Sequence, residues 1–151
     1  MRATRLLMMF RSFHPKSAIL HVLEDKFFKA SVNRQEHLLF IIRSDISFVG
    51  GPEARQVHKN LVEAVTPYLR FRVIIDLRRA KGTTSDEVEK AIREVWFPTL
   101  IQFNPLVALV ATAAGRLHVG RMFREHRVSG KVFTNEAEAR KYLGLPEQPA
   151  T

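Results

Sequence analysis

A chain of 151 residues has the length of one domain, and 46% apolar with 26% charged residues is a globular balance that excludes wholesale disorder. There is no cysteine, which excludes disulfides and thiolate-held metals and suits a reducing, cytoplasmic setting. The net charge of +9 favours acidic partners or polyanions by long-range attraction and leaves the fold open.

The charge is uneven. Arg2, Arg5, Arg11 and Lys16 precede the first acid, Glu24. Arg70, Arg72, Arg78, Arg79 and Lys81 surround Asp76 alone, and Arg116, Arg121, Arg124, Arg127 and Lys131 surround Glu125. Runs of this kind are commonly a solvated basic face. The apolar run Leu6 to Phe10 is closed at once by Arg11 and is too short for a signal-peptide core, and Met8 or Met9 could equally be the true start. The longest largely apolar run, Leu106 to Ala114, falls far short of the roughly 20 residues of a membrane span, so no span is expected. Residues 1–17 therefore read as a basic tail, 18–145 as one domain and 146–151 as a second tail.

Ala18 to Leu23 reads as a first strand or as an element along the domain edge. Lys26 to Val32 and His37 to Arg43 form a β-hairpin about the polar turn Asn33 to Glu36. In the loop that follows, Ile46 and Phe48 are expected to fold back on the core. Gly51-Pro52 opens a helix on which Val57, Leu61, Val65 and Leu69 share a face, with Arg55, Lys59 and Glu63 outside. Pro67 should kink or end it near Thr66.

The β-branched run Val73-Ile74-Ile75 predicts an interior strand covered on both sides, with Asp76 emerging at its end. Thr84 and Glu87 stand at capping-box spacing, so Thr84 is expected to cap a helix that buries Val88, Ala91, Ile92, Val95 and Trp96 and stops at Pro98. Leu106 to Ala111 predicts a second interior strand beside the first. Gly115 reads as a turn into a helix from about Arg116 to His126, with Leu117, Val119 and Phe123 on its apolar side. Lys131 to Phe133 is a last strand, and Asn135 with Glu138 caps a last helix that ends at Gly144 and Pro146. The result is an α/β domain: one mixed sheet, antiparallel at its start, with helices packed on it.

This order, Val73 to Leu77 followed by a turn and a helix, and the close Val132-Phe133-Thr134-Asn135-Glu136-Ala137 with Tyr142-Leu143 resemble STAS domains. They are similar in particular to the SpoIIAA-like, STAS/SEC14-type bacterial proteins, over residues 18 to 145. The resemblance implies a non-catalytic regulatory module that docks a protein partner through the edge Asp76 to Glu87, with Asp76, Arg78, Thr83, Thr84 and Ser85 in reach. It also implies phosphorylation at Thr84 or Ser85, where a phosphate would face a helix N-terminus. Here the chain carries Thr84-Ser85-Asp86-Glu87 where the family has Asp-Ser-Ser-Gly. The SEC14 side of the resemblance implies instead a small-molecule or lipid site, in a pocket under the helices formed by Phe48, Trp96 and Phe97.

Other constellations say less. Gly115 to Met122 mimics the glycine spacing of a P-loop without its Lys and Ser/Thr, so Gly115 reads as a tight turn and Gly120 as a close-packing position. Arg116 and Arg121 are left as a site for a loose anion. The six histidines show no pair at ligand spacing, so neither metal nor cofactor is implied. Asp76 lacks a second acid, base or nucleophile nearby in sequence and is expected to pair with Arg78 or to accept backbone hydrogen bonds. Nucleic-acid binding would be non-specific, since charge alone supports it. Homodimerisation through a sheet edge stays open.

Overall fold

Among the described residues six strands form one sheet, and their spatial order repeats their order in the chain: β1 (Ile19–Glu24), β2 (Phe28–Asn33), β3 (Leu38–Arg43), β4 (Arg72–Asp76), β5 (Leu106–Leu109) and β6 (Gly130–Phe133). The structure is a computed structural model and describes residues 18–82 and 85–147. β1, β2 and β3 are antiparallel, and β3 to β6 run parallel. The switch follows from the connections. Short turns join the first three strands, whereas parallel neighbours require crossovers. Asp25 fixes the first turn by accepting the Phe27 and Phe28 amides on Oδ1, at 2.7 and 2.8 Å. The hairpin turn lies one residue later than its polarity implies, because His37 takes a positive φ of 50° and belongs to the turn.

The crossovers carry α1 (Gly51–Val65), α2 (Asp86–Val95) with the one-turn α3 (Phe97–Leu100), and α4 (Ala113–Glu125), while α5 (Glu136–Tyr142) follows β6. Pro67 ends α1, and a 3-10 turn, Thr66–Tyr68, continues from it. Pro98 behaves differently from expectation: it sits in the first turn of α3, where its missing N–H is harmless, so the chain goes on as a helix.

Alternation along the strands divides the core in two. Leu39, Ile41, Val73, Ile75, Leu106 and Ala108 face one side, where they meet Val57, Leu61 and Val65 of α1, Phe97 and Leu100 of α3 and Phe123 of α4. Leu38, Ile74, Val107 and Leu109 face the other, against Ala139 of α5 and Leu143 and Leu145 beyond it. β4 and β5 pair as interior neighbours, and Val73 to Ile75 and Leu106 to Val110 are buried throughout. Two apolar expectations fail. Leu117 is 75% exposed, because a residue six positions before Phe123 lies well round the helix from it, and Ile46 is also exposed.

The helix starts on the C-terminal side of the sheet differ from expectation too. α4 is capped by Thr112, whose Oγ1 accepts the Gly115 amide at 3.0 Å, so Gly115 lies inside the first turn and is not the turn itself. A Cβ at Gly120 would meet only the Arg124 guanidinium, so that glycine is not a close-packing position. Asn135 caps α5 as its spacing implies, accepting the Glu138 amide at 3.1 Å, and Gly144 ends that segment at φ 73°.

The opposite end is closed by a polar clamp. Arg140 donates from Nη2 to Glu36 Oε2 at 2.6 Å and from Nε to the Pro146 carbonyl. Arg72 donates to the carbonyls of Glu36 and Leu143, so the hairpin turn, β4 and the end of α5 are tied together. The Arg140 side chain is only 5% exposed, and its Nη1 has no partner among the described residues. Removing one member of a buried pair strands the other. Arg140→Met should therefore lower unfolding free energy by about 3 kcal/mol or more in urea titrations, and Glu36→Gln in that background should cost little further.

Candidate functional site

At the C-terminal edge of the parallel strands, on the face that carries α1 to α4, lies a cavity of about 360 Å³. Its floor is Ile75 of β4 and Ala108 of β5, and Phe28, Phe48, Trp96 and Phe97 stand in its walls. Val88 and Ile92 of α2 and Val119 and Met122 of α4 cover it. A groove of about 330 Å³ between α2 and α4, lined by Glu89, Arg93, His118, Arg121 and Glu125, shares Gly82, Ile92 and Met122 with the cavity and forms its outer approach. The space has two local causes. Ala108 is the small residue at the centre of β5, where Ile75 is its cross-strand partner. The buried residues of α2, Val88 and Ala91, pack on Ala54 of α1 and not on the sheet.

Two polar side chains reach this apolar space from buried positions. Arg43, the last residue of β3, points to the same side as Leu39 and Ile41 and is 9% exposed. Its guanidinium lies 4.5 Å from the Phe48 ring centre, with Phe27 and Phe28 at 5.7 and 5.6 Å. Burial draws its pKa below the ordinary arginine value, and the charges of Asp25 and Asp45 offset part of that. His58 of α1 is 3% exposed, and its Nδ1 lies 2.7 Å from the Ala54 carbonyl. A carbonyl only accepts, so Nδ1 carries the hydrogen and the neutral ring has its lone pair on Nε2. Burial pushes the His58 pKa below the usual value, the bond to Ala54 opposes this, Arg43 adds to it and Asp25 opposes it.

That shift gives a pH signature. The unfolded chain takes up the His58 proton more readily than the folded one, so stability from neutral His58 is complete above the unfolded value of about 6.5 and is lost as pH falls below it. Urea titrations from pH 7.5 to 5 should show falling stability, and His58→Phe should flatten that slope.

The residues singled out in the sequence part company here. Asp76 is buried on the α5 side of the sheet, away from the cavity, since it alternates in phase with Ile74. Arg78 grips it as a fork, Nε to Oδ1 at 3.0 Å and Nη2 to Oδ2 at 2.8 Å, while the Arg78 amide adds a third bond and Glu136 Oε1 receives Nη2 at 3.1 Å. Burial pushes the Asp76 carboxyl up, but the side-chain and backbone hydrogen bonds and charge of Arg78, with Arg79, outweigh it and hold the group below its ordinary value. Arg121 pairs with Glu125 at 3.8 Å and lies 3.2 Å from His118 Nδ1, facing the groove. Arg116 is exposed in the first turn of α4 and is not part of the groove lining.

Thr83 and Thr84 lie outside the described residues. The cap of α2 is Ser85, whose Oγ accepts the Val88 amide at 3.3 Å, which displaces the capping box expected from Thr84 and Glu87 by one residue. Ser85→Ala should accordingly cost about 1 kcal/mol in urea titrations. Ser85, Lys81 and Gly82 also line the cavity, so the basic turn after β4 is its rim. Phe48, Trp96 and Phe97 do line one cavity. Arg43 and His58 were missed, although Arg43 alternates in phase with Leu39 and Ile41, and His58 lies four residues after Ala54 and three before Leu61 on the apolar face.

Among the described residues, no helix is long and apolar enough to cross a membrane. Comparison with family models, with curated proteins and with solved structures returned no match.

Proposed function

We propose that this domain is a non-catalytic binding module that takes one small, mainly apolar molecule into the cavity above Ile75 and Ala108. The observation that carries the reading is the cavity itself: about 360 Å³, walled by Phe28, Phe48, Trp96 and Phe97, at the C-terminal edge of β4 and β5. Small-molecule sites have volumes of about 300–1,000 Å³ and apolar walls with a few polar groups, and open α/β sheets bind at this edge. The SEC14-type side of the family resemblance points the same way.

A second reading, a STAS-like regulatory edge that docks a protein partner between Asp76 and Glu87, draws support from one feature. Arg78, Arg79, Lys81, Asp86 and Glu87 are exposed along it, while Ala80, Lys81, Gly82 and Ser85 line the cavity. A ligand in the cavity would thus touch the turn that a partner reads from outside.

Trp96 is the chain's one tryptophan and stands in the cavity wall, so it reports on occupancy. The neutral dye N-phenyl-1-naphthylamine should take up energy from Trp96 saturably, at one dye per chain. Ala108→Leu, which raises the floor, should weaken that binding at least tenfold while melting stays cooperative. Dye binding that is absent, or indifferent to Ala108→Leu, would overturn the reading.

A further inference from the structure

The described lining of the cavity holds two permanent cations, Arg43 and Lys81, and no carboxylate. Lys81 is exposed on the rim, but Arg43 is nine-tenths buried. An arginine this buried is ordinarily paired with an acid, because an uncompensated buried charge is costly. Arg43 makes no ion pair with any described acid. Asp25 and Asp45 act on it through their charges without pairing with it, and Asp25 has Oδ1 committed to the Phe27 and Phe28 amides.

The hydrogen bonds of Arg43, to the carbonyl and hydroxyl of Ser44, both leave from Nη1. Nε and Nη2 make none to the described residues, and these two nitrogens form the side of the guanidinium that meets a carboxylate with two parallel bonds. The rings of Phe27, Phe28 and Phe48 surround the cation. They stabilise it through their negative faces, which offsets part of the missing anion.

Resting on the cavity as a small-molecule site, we propose that its ligand is an apolar monocarboxylate, a single acyl chain or aryl body over Ile75 and Ala108 whose one carboxylate pairs with Arg43. One buried arginine beside a neutral histidine suits a single negative charge better than a phosphate monoester with up to two. A volume near the bottom of the small-molecule range suits one chain. Lys81 at the rim adds attraction for an entering anion and is not needed for the pairing.

Decanoate, decanol and decylamine share one tail and differ in head group. Each is titrated below its micelle concentration at pH 7.5, with Trp96 fluorescence as the signal. Decanoate should bind roughly ten- to a hundred-fold more tightly than decanol, the range for a charge-assisted hydrogen bond, and decylamine more weakly than decanol. Arg43→Met should bring decanoate down to the decanol level and leave decanol itself unchanged, whereas Lys81→Met should leave most of the preference. Equal binding of decanoate and decanol by the parent protein would overturn the carboxylate assignment and leave the apolar cavity standing. Failure of all three to perturb Trp96 would remove the cavity reading along with it. A decanoate preference that survives in Arg43→Met, with cooperative melting by circular dichroism, would overturn the role of Arg43. The parent comparison decides even if that variant does not fold.

Discussion

The close packing of α2 on α1 is the contact on which the rest of the inner face depends. Gly51 opens α1 so near to α2 that a Cβ there would lie 3.2 Å from the Glu87 Cβ, and Ala54 and Ala91 meet at zero exposure a turn further on. Small residues let two helix backbones approach, and dispersion then favours the pair over looser arrangements. The Arg55–Glu94 bond, at 2.8 Å, bridges the same two helices from outside. α4 is held elsewhere: the Phe123 ring lies over Gly130 of β6, where a Cβ would come within 2.8 Å of it. One helix is therefore drawn towards α1 and the other towards β6. The groove and cavity between them follow from these two attachments, together with the short side chain of Ala108 on the floor.

The two ends of the parallel strands are built differently. At the N-terminal end, Glu36, Arg72 and Arg140 link the hairpin turn to β4 and α5. At the C-terminal end, the loops after β3 and β4 enclose space instead of closing it, and the buried arginine there has aromatic rings for neighbours where Arg140 has a carboxylate. Both arginines are almost wholly buried. Their surroundings separate a cation committed to a carboxylate from one that makes no ion pair with a described acid.

The sequence made β4 and β5 legible because uninterrupted runs such as Val73 to Ile75 have few alternatives to a strand covered on both faces. Helix ends were less legible. Thr84 with Glu87 has the spacing of a capping box, yet Ser85 provides the cap, since adjacent Thr and Ser compete for one role and side-chain identity alone does not choose between them. Leu117 was misplaced for a related reason. α4 carries few large apolar residues, so its phase rested on a single choice, and Phe123 sets that phase by its fit over Gly130, a long-range contact with no local signature. The aromatic walls could be named from Phe48, Trp96 and Phe97, but the polar groups among them could not. A charge at the end of a strand is usually read as the point where the strand leaves the core. Arg43 keeps the inward phase of Leu39 and Ile41 instead, among three phenylalanine rings that the fold brings round it.

In the proposed reading, that arrangement would tie stability to ligand binding. A buried guanidinium without an ion pair among the described residues is a local cost to the fold, offset in part by the charges of Asp25 and Asp45, by the rings and by the bonds from Nη1 to Ser44. Selection for stability alone would replace it with an aliphatic side chain of similar volume, because buried charges are often neutral or unfavourable relative to such residues. The neutral His58 adds a second polar group to the same wall, and its proton uptake is opposed by Arg43 itself. A buried cation beside a neutral histidine, in a cavity that apolar residues could have filled, is the pattern expected where function and stability pull apart. An anion that binds only the folded state would recover part of that cost by mass action, so the same arginine would couple stability to the proposed ligand.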